Sequence, residues 1–208
     1  MPTLFLPPET RAVIFDCDGV LIDSWHAALH FFNSMRAAVG LGPMNPEEER
    51  DCFVRTIPES LDVIIPAPLR AEAQRAWEAF DLGELLGLIQ AHAGVPALLD
   101  RLRRAGRGLA VCTNGGAEQH VILKHLDLLQ RFDLMITAED APRGKPWPDG
   151  CAMILERFAL RPDQAVYVGD SHVDEETARN AGIPFWAYRN PELNAVAHIS
   201  DFNTVRVS

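Results

Sequence analysis

Five short apolar runs punctuate the chain, each continuous rather than alternating: RAVIFD at 11–16, GLAVCT at 108–113, DLMITA at 133–138, QAVYVGD at 164–170 and PFWAYR at 184–189. A strand with one wetted face alternates apolar and polar residues. A strand apolar at successive positions is covered on both faces, as in the interior of a parallel sheet. Between the runs lie helical patterns. VPALLDRLRRAG, from residue 95, carries Leu98, Leu99 and Leu102 on one side, Pro96 in its first turn and Gly106 as its stop. AEQHVILKHLDLL at 117–129 and DGCAMILERFAL at 149–160 follow the same plan. Strand alternates with helix, so the expected fold is α/β: a Rossmann-like, doubly wound parallel sheet with helices on both faces.

One region breaks this rhythm. Residues 24–92 hold helical candidates, SWHAALHFFNSMRAAVG, NPEEERDCFVRT and APLRAEAQRAWEAFDLGELLGLIQ, and no convincing strand. The stretch is too long for a structureless loop or a single crossover helix. The expected organisation is a core of 1–23 and 93–208, with a helical lobe of 24–92 inserted after the first strand. The insert carries Arg36, Arg50, Arg55, Arg70 and Arg75 against ten acids, half of the chain's formal net charge of −10. It is therefore not a separate basic module, and the acidic whole argues against nucleic acid or an anionic membrane surface as partner.

No run of eighteen apolar residues occurs, and MPTLFLPPET lacks the basic-then-apolar order of a leader. The four cysteines, Cys17, Cys52, Cys112 and Cys151, form no C-x-x-C pair. Buried free thiols are expected, which suits a reducing, cytoplasmic setting.

Ligands of an open α/β sheet bind at the carboxyl ends of its strands. There the first run ends in Asp16 with Asp18 two residues on, and the second in Thr113-Asn114-Gly115-Gly116. The third leads into EDAPRGKPWPD with Lys145, one of only two lysines, and the fourth ends in Gly169-Asp170-Ser171, followed by Asp174. Like charges a few ångströms apart oppose one another's ionisation, so gathered carboxylates call for a cation. Hard oxygen donors without thiolate or imidazole select Mg²⁺. Asp16 and Asp170 are the expected metal-binding pair. Lys145 would face a phosphoryl group from the other side, and Thr113 with the backbone N–H groups after it would cradle the phosphoryl oxygens. Asp16 could then attack phosphorus, while Asp18 supplies a proton to the leaving alkoxide and later takes one from water. A calcium loop is the wrong reading of Asp16-x-Asp18-Gly19, because its sixth position would be Leu21 where that loop requires glycine.

FDCDGVLIDS, CTNGG, the lysine of RGKPWPDG and VGDSHVDEETARNAGI resemble, in order, the four motifs of the haloacid dehalogenase superfamily. The resemblance runs from about Arg11 to Tyr188, and the insert resembles the helical cap of the phosphoglycolate-phosphatase-like and β-phosphoglucomutase-like branch. It implies Asp16 as nucleophile and Asp18 as general acid/base. It further implies magnesium held by Asp16, the backbone carbonyl of Asp18 and Asp170, with Asp174 as ligand or support. Thr113, Asn114 and Lys145 would hold the phosphoryl group. An Asp at position 18 implies phosphate esters rather than carbon–halogen bonds, and the TNG of the second motif resembles the hydrolytic members.

The expected activity is Mg²⁺-dependent hydrolysis of a small phosphomonoester through an aspartyl phosphate. A phosphosugar mutase of the β-phosphoglucomutase type would share the site, and a non-catalytic binding protein would share only the fold. Arg36, Arg55 and Arg70 are candidate anion contacts, against the alternative that they pair within their own lobe. His26 and His30, four apart on a helix, lack a third metal ligand. Substrate identity and oligomeric state are not legible.

Overall fold

The computed structural model describes residues 3–207. Its six-stranded sheet comprises β1 (Ala12–Phe15), β2 (Gly108–Cys112), β3 (Leu134–Ile136), β4 (Ala165–Gly169), β5 (Phe185–Tyr188) and β6 (Ala197–Ile199). Every pairing is parallel, and the spatial order is β3-β2-β1-β4-β5-β6. The expectation of a doubly wound α/β sheet is met. Every residue of β1, β4 and β5 is buried, as continuous apolar runs require. The chain winds outward from β1 through β2 to β3, then returns to place β4 on the other side of β1. That reversal is the switch point at which such sheets bind ligands. The register pairs Phe15 with both Val111 and Val168, so the carboxyl ends of β1, β2 and β4 lie side by side.

The connecting helices are α1 (Val95–Arg104), α2 (Glu118–His125), α3 (Asp149–Phe158) and α4 (His172–Ala181). Helix α1 buries Val95, Leu98, Leu99 and Leu102. On one face of the sheet, Ile14, Ala110, Tyr167 and Phe185 pack with Cys151, Ile154 and Leu155 of α3 and Ala178 of α4. All four cysteines are buried and unbridged. Short strand pairings escape the sequence reading. Strand β6 has an exposed central His198, and Leu4–Phe5 pairs in parallel with Val205–Arg206 in a separate ribbon.

The chain divides into two compact units: residues up to Ile22 with those from Ala91 onward, and Asp23–Gln90. The second unit is helical, with helices Trp25–Ala38, Pro46–Val54, Ile57–Ile64, Arg70–Glu78 and Gly83–Leu86. Phe31 sits at its aromatic centre, edge-on to Phe32 and Phe80. Pro46–Val54 begins with a capping box between Asn45 and Glu48, which accounts for the second acid of EEER, and Ile57–Ile64 with one between Thr56 and Glu59.

Candidate active site

Strand β1 delivers Asp16 where the sheet ends, and the chain then turns back sharply. The Cys17 carbonyl accepts from the backbone N–H groups of Leu21 (2.9 Å) and Ile22 (3.2 Å), while Gly19 N–H donates to the Ile22 carbonyl at 2.8 Å. Gly19 takes φ = +77°, and a Cβ built there would collide with the Asp170 carboxylate. Glycine is therefore required twice over, by the backbone angle and by the approach of the acid from β4.

Lys145 is the hub. Its Nζ lies 2.7 Å from Asp16 Oδ1 and 2.6 Å from Asp174 Oδ1, and its side chain is only 6% exposed, unlike that of a solvated loop lysine. The main chain of Lys145 is gripped as well. Its N–H donates to Asn114 Oδ1 at 2.7 Å, and its carbonyl accepts from Asn114 Nδ2 at 3.1 Å. The Asn114 side chain, expected on the phosphoryl group, thereby also positions the main chain of the lysine. Thr113 is buried at the end of β2, and its hydroxyl accepts from Gly115 N–H at 3.0 Å.

Asp174 lies beneath the others with no exposed surface. Its Oδ1 accepts from Lys145 and from the Tyr167 hydroxyl at 3.1 Å. Its Oδ2 accepts from the N–H groups of Asp170 and Ser171 and from the Ser171 hydroxyl at 2.6 Å. Ser171 is also the N-cap of α4, so one carboxylate ties that helix start to the ammonium. Asn190 Nδ2 fixes the Asp170 carbonyl at 2.9 Å. The Asp18 carboxylate stands apart from this cluster, accepting from Gln119 Nε2 at 2.7 Å.

The electrostatics are those of a site short of positive charge. Burial, followed by the neighbouring Asp174, pushes the Asp16 carboxyl well above the usual range despite Lys145. Burial and Asp174 likewise raise Asp170 to about 7. Asp174 shifts the other way: its burial is outweighed by Lys145 and the Ser171 donors, which hold it below the ordinary value. Burial alone would lower Lys145, yet Asp16 and Asp174 together raise it. Ionised, the three acids and one lysine sum to −2. One oxygen from each of Asp16, Asp170 and Asp174 falls within a 4.8 Å cluster, the group with metal-ligand spacing among the described residues. An all-carboxylate donor set with that charge deficit fits a hard divalent cation.

Tyr167 and Gln119 were missed in the sequence, the first because it sits within an apolar strand run and the second because it reads as helix surface. The lobe's arginines resolve toward internal partners. Arg36 reaches the Ile64 carbonyl (3.0 Å) and Glu48 (3.3 Å), Arg55 pairs with Asp51 (2.8 Å), and Arg70 binds Asp62 (2.8 Å) and the Ile65 carbonyl (3.1 Å). His30 faces Glu84 at 3.5 Å.

A Rossmann-type parallel sheet with acids at the ends of adjacent strands and a buried lysine between them defines the class, and comparison places the chain within it. The chain belongs to the haloacid dehalogenase-like hydrolase family, whose model matches residues 13–188. It is 32% identical to a phosphoglycolate phosphatase of Rhodobacter capsulatus over 92% of both chains. It is 27% identical to an N-acetylmuramic acid 6-phosphate phosphatase of Pseudomonas aeruginosa, over 88% of this chain and 85% of that one. Among solved structures, a subfamily IA hydrolase of the same superfamily from Geobacter sulfurreducens superposes with a TM-score of 0.76 at 34% identity, covering 94% of both chains.

Proposed function

We propose that the chain is a Mg²⁺-dependent phosphoric monoester hydrolase that turns over a small phosphorylated metabolite through an aspartyl phosphate on Asp16. The observation that carries this reading is the Lys145 ammonium wedged between Asp16 and Asp174, 2.7 and 2.6 Å away, beside two carboxyls that burial has pushed upward. The phosphatase names of the relatives support the same chemistry.

Asp16, Asp170 and the backbone carbonyl of Asp18 would hold the ion. Asp174, whose oxygens already accept from five donors, would support Lys145 from below rather than bind metal. Bound there, Mg²⁺ supplies positive charge that keeps the acids ionised and offsets the charge of a phosphoryl group. Lys145 adds a fixed point charge, and the Thr113 hydroxyl with the backbone N–H groups after it receives phosphoryl oxygens. Asp16 attacks phosphorus in line with the leaving oxygen, and Asp18 gives that oxygen its proton. Asp18 then withdraws a proton from the water that cleaves the aspartyl phosphate.

The test is Asp16→Asn assayed on 4-nitrophenyl phosphate and on 2-phosphoglycolate, the substrate named for the R. capsulatus relative. Turnover should fall at least about 10³-fold with the fold retained, and EDTA should silence the wild-type protein. An Asp16→Asn protein working at the wild-type rate would refute the nucleophile assignment. Inorganic phosphate released one-for-one with substrate separates hydrolysis from a mutase.

A further inference from the structure

Gln119, in the first turn of α2, is only 4% exposed, a burial that a primary amide tolerates when its donors and acceptor are matched. Its Nε2 donates to Asp18 Oδ2 at 2.7 Å, and its Oε1 accepts from the Cys17 thiol at 3.1 Å. A carboxylate only accepts and the thiol here donates, so the two contacts select a single orientation of the amide. Space for it is made across the loop. A Cβ on Gly115 would lie 2.5 Å from Gln119 Nε2 and 2.8 Å from its Cδ, contacts no real side chain makes. The first glycine after Thr113-Asn114 therefore admits the amide of Gln119.

We propose that Gln119 is the positioning residue for Asp18. It clamps Oδ2 and so fixes how the carboxyl is aimed when it gives its proton to the departing oxygen, while Cys17 holds Gln119 in turn. The inference rests on the phosphatase reading. In the step concerned, an Asp16 oxygen forms its bond to phosphorus as the phosphorus–oxygen bond to the leaving group breaks. The broken bond's electron pair stays on the leaving oxygen, which takes the proton from the Asp18 carboxyl, and Asp18 becomes a carboxylate. A misaligned Asp18 harms this step in proportion to how much the leaving group needs that proton. Alkoxides need it most, and the anion of a strongly acidic phenol needs it least.

Gln119→Met preserves length and burial while deleting both polar contacts. With saturating Mg²⁺, kcat/KM is measured for a series running from 2,4-dinitrophenyl phosphate through phenyl phosphate to alkyl phosphates. The variant should lose about 10- to 100-fold on the alkyl esters and less than about threefold on the dinitrophenyl ester. Cys17→Ala should tilt the series the same way by a smaller factor, and Cys17→Ser, whose hydroxyl also donates, should restore it. A uniform loss across the series, or no loss, overturns the proposal. If Gln119→Met does not fold, the two Cys17 variants decide it: equal profiles for Ala and Ser overturn it. Wild-type protein inert toward the whole series would instead overturn the phosphatase reading, a result distinct from a uniform loss.

Discussion

Lys145 is held at both ends, by two carboxylates at its amine and by Asn114 at its main chain. An ammonium fixed in this way meets an incoming anion without reorganising, which is the condition under which a buried charge aids catalysis most. It also neutralises acids that burial alone would disfavour. Lys145→Met should lower kcat about 10²- to 10³-fold in a phosphatase assay. In urea denaturation at neutral pH it should cost about 3–5 kcal/mol, since it strands buried acids without their partner. A lysine serving only as surface charge would leave both measurements nearly unchanged. Its presence at the rim was legible from motif order, because each apolar run announces a strand end and the loops after those ends carry the polar residues. Asn114's grip on it was not legible. Which side chain an amide meets depends on how two loops fold over each other, and spacing along one chain does not encode that.

At the level of elements, the turn after β1 controls how two strands share the site. Gly19→Ala must place a methyl group at φ = +77° and against the Asp170 carboxylate. Displacing an acid of the proposed metal site should raise the Mg²⁺ concentration needed for half-maximal activity about 10- to 100-fold, a factor of the size seen when groups that orient ligands are altered. Circular dichroism should retain the α/β signature. Turnover titrated with Mg²⁺ distinguishes this outcome from simple unfolding. The buried strands were readable because two covered faces leave no polar alternation. Strand β6, three residues with His198 exposed, offers too little pattern to be separated from loop. Helix Ile57–Ile64 escapes that reading although Thr56 just before it and Glu59 in its first turn stand in capping-box spacing. Pro58 in its first turn reads as a breaker when the cap is not considered.

Stability as a function of pH belongs to the whole molecule. Without metal, Asp170 has its carboxyl raised to about 7, well above an unfolded carboxylate, and Asp16 is raised too. Groups raised by folding favour the folded state when protonated. Their contribution is complete below the unfolded value near pH 4, and that of Asp170 is lost as pH climbs through about 7. Metal needs the ionised acids, so it competes with those protons. The stabilisation by a fixed Mg²⁺ concentration should therefore be small at pH 5 and grow through pH 8, approaching about 2.7 kcal/mol where Mg²⁺ exceeds its dissociation constant 100-fold. Melting curves with Mg²⁺ and with EDTA across that range check it; a Mg²⁺ shift that is flat or falls with pH would contradict the site's charge balance. Charge was legible from composition only in aggregate. The formal −10 argued against polyanionic partners, yet gave no sign that Lys145 at the site would be almost wholly enclosed. That enclosure bears on practical handling. The chain has two lysines, and Lys124 is exposed while Lys145 is walled in. Among the lysines, acylating dyes or activated resins should therefore couple at Lys124 alone, on the outer surface of α2, leaving the enclosed ammonium untouched.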